Sequence, residues 1–372
     1  MDLGEESSLH GVNNAYIGKA IDDLFGFVGV KEDIPPESVF VPLRDGRTKE
    51  CIERIAEYLG LPVTVSVIIS ERFDSRDVVT TDDSGRGREG ITAQVSIPDS
   101  LPFYGTPALQ GFPIQVRVSG NARRYPHTFM AIMAHELSHI VLHSLWHTEK
   151  DNEIYTDVAA MLLGFAGVMR RGRHIEETTQ IGMGWTQRAT TQFGYLTDYQ
   201  FEFALGRVSA ILKSSKTEFD TVRTRVTQTL ATYRKQLDSY RKMLCEFRSL
   251  IEYLDKNPGK RIRKQDIPKV VEAHGLDYGE RLVSVLRSSE KKLREAELLH
   301  SGWLEDAQRH YSGQRLDSLR VLHDSLNGLL PDLTRECGVL KDDVAVMKRC
   351  VGFFGRLKAN SSSHERLTRP GG

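Results

Sequence analysis

The chain has 372 residues, with 50 Lys and Arg against 50 Asp and Glu and a formal charge of zero. That length accommodates two or three domains with buried cores, and the balanced charge offers no global field for nucleic acid or an anionic membrane surface. No run of about 18 apolar residues could span a bilayer, and the opening MDLGEESSLHGVNNAYIGKA lacks the basic and apolar regions of a secretory signal, so the reading is a cytoplasmic protein with no membrane partner.

Residues 1–46 form a segment of no legible role. Within it AYIGKAIDDLFGFV has the pattern of a short helix, and KEDIPPESVFVPL that of a Pro-broken connector. A domain is expected over residues 47–205. Ile52, Ile55 and Leu59 lie at helical spacing, and Gly60 closes that helix. Three segments then alternate with period two and predict strands with one packed face: Val63, Val65, Val67 and Ile69; Ile91, Ala93, Val95 and Ile97; Ile114, Val116 and Val118. Between the first two, DVVTTDDSGRGREG reads as a mobile loop. Pro126 suits the first turn of a helix, and HTFMAIMAHELSHIVLHSL is apolar on most sides, which predicts a largely buried helix. WHTEKDN breaks it, and EIYTDVAAMLLGFAGV starts another apolar helix. Helix, strands and two buried helices make a compact α+β domain.

Residues 206–358 are expected to be all helical and coiled-coil-like. Val226, Leu230, Tyr233, Leu237, Tyr240, Leu244, Phe247, Ile251 and Leu254 are spaced alternately by four and three, a heptad seam for a coiled coil or antiparallel hairpin. After a turn at Pro258-Gly259, a second helical stretch carries Leu282, Leu286, Leu293, Trp303, Leu316, Leu319 and Leu326, followed by a shorter helix near residues 337–357. Residues 359–372 read as a disordered tail. Cys51, Cys245, Cys337 and Cys350 form no C-x-x-C pair and read as small buried apolar residues.

The chemistry concentrates in MAHELSHIVLH, where His135, Glu136 and His139 spell His-Glu-x-x-His. Histidines four apart on a helix share a face about 6 Å apart along the axis, and both imidazoles can converge on one zinc ion. Glu136 then stands beside the metal, where a carboxylate can take a proton from activated water and hand it to a leaving amine. The bland alternative is a buried helix that happens to carry two histidines. For a third ligand, His143 would lie about 12 Å from His135 along a straight helix, beyond what one zinc can bridge. His147 would need a sharp bend, and HIVLHSLWH has no glycine to supply it. Glu153 is the better choice, because it opens the next helix after a short connector. Asp157, four residues on, could accept the free ring N–H of a bound histidine. Both acids could also be ordinary first-turn residues favoured by the helix dipole.

His135 to His139 and Asn152 to Asp157, HELSH and NEIYTD, resemble the gluzincin metallopeptidases, whose His-Glu-x-x-His helix is followed by a second helix with a glutamate ligand and an acid four residues later. NEIYTD is similar to the Asn-Glu-x-x-Ser-Asp element of the thermolysin group, with Thr156 in place of serine. The short connector and HELSHIVLH are closer to compact intracellular peptidases of the ImmA/IrrE type, although Asp157 stands where that group usually has Asn. The resemblance covers about residues 60–170. It implies a small gluzincin-like metallopeptidase domain, a short sheet with active-site helices, and a peptide or protein substrate lying along an edge strand. It also implies zinc bound by His135, His139 and Glu153, Glu136 as general base, and Asp157 orienting a histidine. The family's oxyanion-stabilising Tyr or His has no motif here; Tyr155, His143, His147 and Tyr195 are the candidates.

The expected function is therefore a zinc endopeptidase acting on an intracellular protein, with a regulatory partner or self-association through residues 206–358. The alternative is a scaffold protein whose zinc only cross-links two core helices, with a fourth protein ligand closing the site. Nucleic-acid binding through KNPGKRIRKQ rests on one basic turn and is disfavoured.

Overall fold

The computed structural model describes residues 13–70, 93–180, 186–256, 278–304 and 310–367. Two compact units emerge: Met1–Glu218 with Ala307–Arg315, and Phe219–Asp306 with Leu316–Gly372. No helix among the described residues is long and apolar enough to cross a membrane.

The first unit opens with α1 (Asn14–Val28), capped by the Asn13 side chain and burying Ile17, Ala20, Ile21, Leu24 and Val28 along one stripe. The stretch expected to be a connector instead forms α2 (Pro36–Arg44). Pro36 stands in its first turn, where a missing N–H costs nothing. Residues 1–46 thus contribute helices to the same unit as the expected α+β domain. Helix α3 (Thr48–Leu59) buries Cys51, Ile52, Ile55, Ala56 and Leu59 and ends at Gly60, in the left-handed region at φ 83°.

A three-stranded sheet follows. Strand β2 (Thr64–Ser70) runs parallel to β4 (Pro113–Ser119), and β3 (Ala93–Ser96) pairs antiparallel with β4, Val95 opposite Val116. Ile114, Val116, Val118, Ala93, Val95 and Val65 are buried as the alternation predicts. The face fails from the middle of β2 onward, where Val67 is half-buried and Ile69 is 68% exposed, and Ile97 lies beyond β3. Ile91 and the expected mobile loop lie outside the described residues.

Helix α4 (Pro126–Ser144) is buried on most sides and packs against α3, β3 and the following helices. The single apolar helix expected next is two: α5 (Glu153–Ala160) and α6 (Ala166–Gly172), separated by a wider-wound stretch. Gly164 makes the break at φ 93°. A Cβ there would lie 2.6 Å from the Glu32 carbonyl oxygen, and the Gly164 carbonyl accepts from Ile34 N at 2.9 Å, so the chain before α2 passes directly over this point. A hairpin that the sequence reading did not anticipate follows, β5 (His174–Gln180) with β6 (Thr186–Gln192). The two-residue strand β1 (Val30–Lys31) pairs antiparallel with β7 (His310–Tyr311).

The second unit is built from the long helix α7 (Asp198–Lys256), from Phe219 onward, with α8 (Tyr278–Leu304) and α9 (Gly313–Leu367). Val222, Val226, Leu230, Tyr233 and Leu237 pack with Leu293 and Ala296 of α8 and with Leu319, Leu322, Leu326 and Leu333 of α9. Further along, Tyr240, Leu244, Phe247 and Leu250 meet Tyr278, Leu282, Leu340, Val344 and Met347. Late α8 residues thus meet early α7 residues, so α8 runs antiparallel to α7 and α9 parallel to it. The heptad seam holds through Phe247. Leu250 then replaces Ile251, which is 36% exposed, so two successive three-residue steps tighten the seam locally. The second helical stretch is two helices, and the shorter helix expected near residues 337–357 is part of α9. Helix α9 runs through to Leu367, into the stretch expected to be disordered, since extending an existing helix adds a hydrogen bond for each residue fixed. The Leu254 and Trp303 side chains and all of the basic turn KNPGKRIRKQ after Lys256 lie outside the described residues.

Candidate metal centre

Helix α4 supplies His135, Glu136 and His139. Its end is set by Trp146, at φ 52°, with His147 N bonding back to the Leu142 carbonyl at 3.0 Å. The chain returns through a short connector to Asn152. Its side chain caps α5 by accepting from Ile154 N at 3.1 Å, while its amide donates to the Tyr16 hydroxyl at 2.7 Å and to Glu149 at 2.9 Å. Glu153 is thereby fixed at the first position of α5, facing the two histidines.

One carboxylate oxygen, Glu153 Oε2, lies 2.9 Å from His135 Nε2 and 3.3 Å from His139 Nε2. Donor atoms of all three residues lie within 4.8 Å of one another. The other ring nitrogens are engaged behind them. His135 Nδ1 is 2.8 Å from Asp157 Oδ1, and His139 Nδ1 faces Thr156 Oγ1 at 3.3 Å and the Lys150 carbonyl at 3.4 Å. Asp157 is 1% exposed, and its second oxygen accepts from Tyr195 N at 2.9 Å. The Tyr195 ring stacks on His135 with centroids 5.5 Å apart.

Burial pulls the His135 pKa down, but hydrogen bonds with Asp157 and Glu153 push it up to about 10. Burial raises Glu153, and its bonds to His135 and His139 more than offset that, lowering it to about 2. Glu136 is raised by burial, against the pull of His135 and His139. A buried imidazole with a carboxylate at each nitrogen requires either a second ring proton or a cation in its place. The donor set fits the cation. Two imidazole nitrogens and a carboxylate oxygen suit a divalent transition metal, and the spacings of 2.9 and 3.3 Å match the donor separations of about 3.3 Å in a tetrahedral site with bonds near 2 Å. His135, His139 and Glu153 could therefore bind a metal ion.

Glu136 stands beside this group without joining it, and its Oε2 accepts from Val95 N of β3 at 3.4 Å. The remaining candidates part company. His143 Nε2 pairs with the exposed Asp151 at 2.9 Å. His147 accepts from Glu149 N at 3.1 Å and packs between Phe27 and Tyr155, whose hydroxyl donates to Asp23. Tyr195 lies against the histidine group. The sequence reading missed Arg173 and Gly194, which support the Tyr195 turn, and the Val95 N–H; none belongs to a motif. Comparison of the chain with protein-family models, curated proteins and solved structures finds no match.

Proposed function

We propose that this chain is a zinc-dependent endopeptidase that hydrolyses a peptide bond in a protein substrate. The observation that carries this reading is Glu136, a half-buried carboxylate beside a three-donor group, His135, His139 and Glu153, drawn from two crossing helices. A site meant only to cross-link helices has no use for that carboxylate, and among the described residues the gathered donors stop at three, as in catalytic rather than closed zinc sites.

Zinc in such a set acts as a Lewis acid that polarises a carbonyl and acidifies water. Glu136 takes a proton from the attacking water as its oxygen bonds to the scissile carbonyl carbon, and delivers that proton to the amine as the C–N bond breaks. Asp157 holds the His135 Nδ1 proton, which leaves Nε2 free as a donor. Strand β3 is an edge of the sheet among the described residues. The Val95 N–H points at Glu136 rather than β4, and since N–H and C=O of one residue project to the same edge, an extended peptide added there would run beside Glu136. For the helical unit the proposal is a regulatory protein partner or self-association, and the intracellular setting is proposed from the resemblance to the compact peptidases.

The test is metal analysis of the purified chain with cleavage of a quenched fluorogenic peptide library. About one zinc per chain is expected, and Glu136→Gln retains it while abolishing cleavage. An active Glu136→Gln protein refutes the mechanism, and a chain that binds no zinc refutes the assignment.

A further inference from the structure

His135 is oriented by Asp157, and something must orient Asp157. Its second oxygen accepts from Tyr195 N at 2.9 Å, so the orientation is inherited from residues 193–196, a connection between β6 and α7 in which Gly194 and Tyr195 are exposed and Leu196 is buried. Connections of this kind are ordinarily among the more mobile parts of a fold. This one is anchored by Arg173, which is 5% exposed. The Arg173 guanidinium donates to the Leu196 carbonyl and to Asp198 Oδ1 at 3.2 and 3.3 Å, and it lies 4.5 Å above the Phe201 ring. The Arg173 carbonyl accepts from Phe193 N at 2.7 Å, so both ends of the turn are tied to one residue. Between them Gly194 adopts φ 91°. A Cβ there would come within 3.5 Å of Asp157 Oδ2 and 3.6 Å of Arg173 Nη1, so the turn lies directly on the carboxylate.

We propose that Arg173 is a positioning residue for the metal centre, clamping residues 193–196 so that the Tyr195 amide fixes Asp157 and, through it, His135. The inference rests on the metal reading above and adds a member that touches neither metal nor substrate. Arginine suits the role because its planar fork can serve a carbonyl and a carboxylate at once while its face stacks on an aromatic ring. Lysine offers only a point charge.

The test measures zinc affinity of the full chain by competition with a chelating indicator, alongside the melting temperature of the metal-free protein and the His135 Nδ1 proton signal by NMR. Arg173→Met and Gly194→Ala should each weaken zinc binding about 10–100-fold, the effect typical of removing support behind a ligand, and should broaden the Nδ1 proton signal. Arg173→Lys should fall between Arg173→Met and the unaltered chain. Arg170→Met, which breaks an exposed pair with Glu202, should change nothing. If Arg173→Met does not fold, Gly194→Ala and Arg173→Lys carry the test. Variants that bind zinc within twofold of the unaltered chain overturn the role of Arg173 and leave the metal reading intact. An unaltered chain with no zinc affinity overturns the metal reading, and this one with it.

Discussion

Replacing Asp157 by Asn changes one atom and poses a problem with no neutral solution. Both carboxylate oxygens now accept, from His135 Nδ1 at 2.8 Å and from Tyr195 N at 2.9 Å, in a site that is 1% exposed. An amide has one acceptor and one donor end. If its oxygen stays toward His135, its NH2 meets the Tyr195 N–H, a part-buried donor facing a donor, at about 1–3 kcal/mol of stability. If it turns the other way, His135 must accept at Nδ1 and carry its proton on Nε2, the atom required for the metal. The second arrangement is expected to weaken zinc binding about 10–100-fold, equivalent to about 1.4–2.7 kcal/mol. Chelator competition measures the affinity, and thermal unfolding without metal measures the stability. An Asp157→Asn protein with zinc affinity within threefold of the unaltered chain and the same melting temperature would refute the view that Asp157 holds His135.

Other outcomes follow from the same geometry. Gly164→Ala forces an L side chain to φ 93° with its Cβ 2.6 Å from the Glu32 carbonyl, so a loss of about 3 kcal/mol or more is expected in denaturant unfolding; a loss under about 1 kcal/mol would contradict the close approach. Trp146→Gly places glycine at a left-handed helix end where the indole is 73% exposed. It should stabilise by up to about 1 kcal/mol, and marked destabilisation would mean that the edge contact with Phe103 matters more than the backbone strain. Zinc at about a thousand times its dissociation constant should stabilise the first unit by about 4 kcal/mol, reversibly with EDTA; an unchanged melting temperature would argue against binding to the folded state.

Helix α3 and the seam from Val226 to Phe247 were legible in the sequence because each buries a stripe whose spacing matches its backbone period, and α4 because its run is apolar on most sides. The three-donor group was legible for a similarly local reason. Two histidines a turn apart must share a face, and Glu153 opens the next helix after a short connector. The hairpin of β5 and β6 was not legible, since HIEETTQ and TQRATTQ carry almost no apolar alternation. The break at Gly164 was hidden too. MLLGFAGV reads as continuous apolar helix, and only the backbone near Glu32, distant in sequence, shows why a glycine is needed. Arg173 gave no signal because its partners are a carbonyl, an exposed aspartate and a ring face, none of which forms a pattern in one dimension.

The pairing of β1 with β7 joins Val30 to Tyr311 and Lys31 to His310, and the His310 ring bonds the Val28 carbonyl at 2.6 Å. On the ribosome, residues 30 and 31 therefore wait until some 280 more have been made before their partner emerges, and the intervening chain includes α7 and α8. A fragment stopped at Glu218 would carry every donor of the zinc group yet leave that two-residue ribbon half made. Trimming the helical arm away is for this reason not a neutral operation on the rest of the molecule.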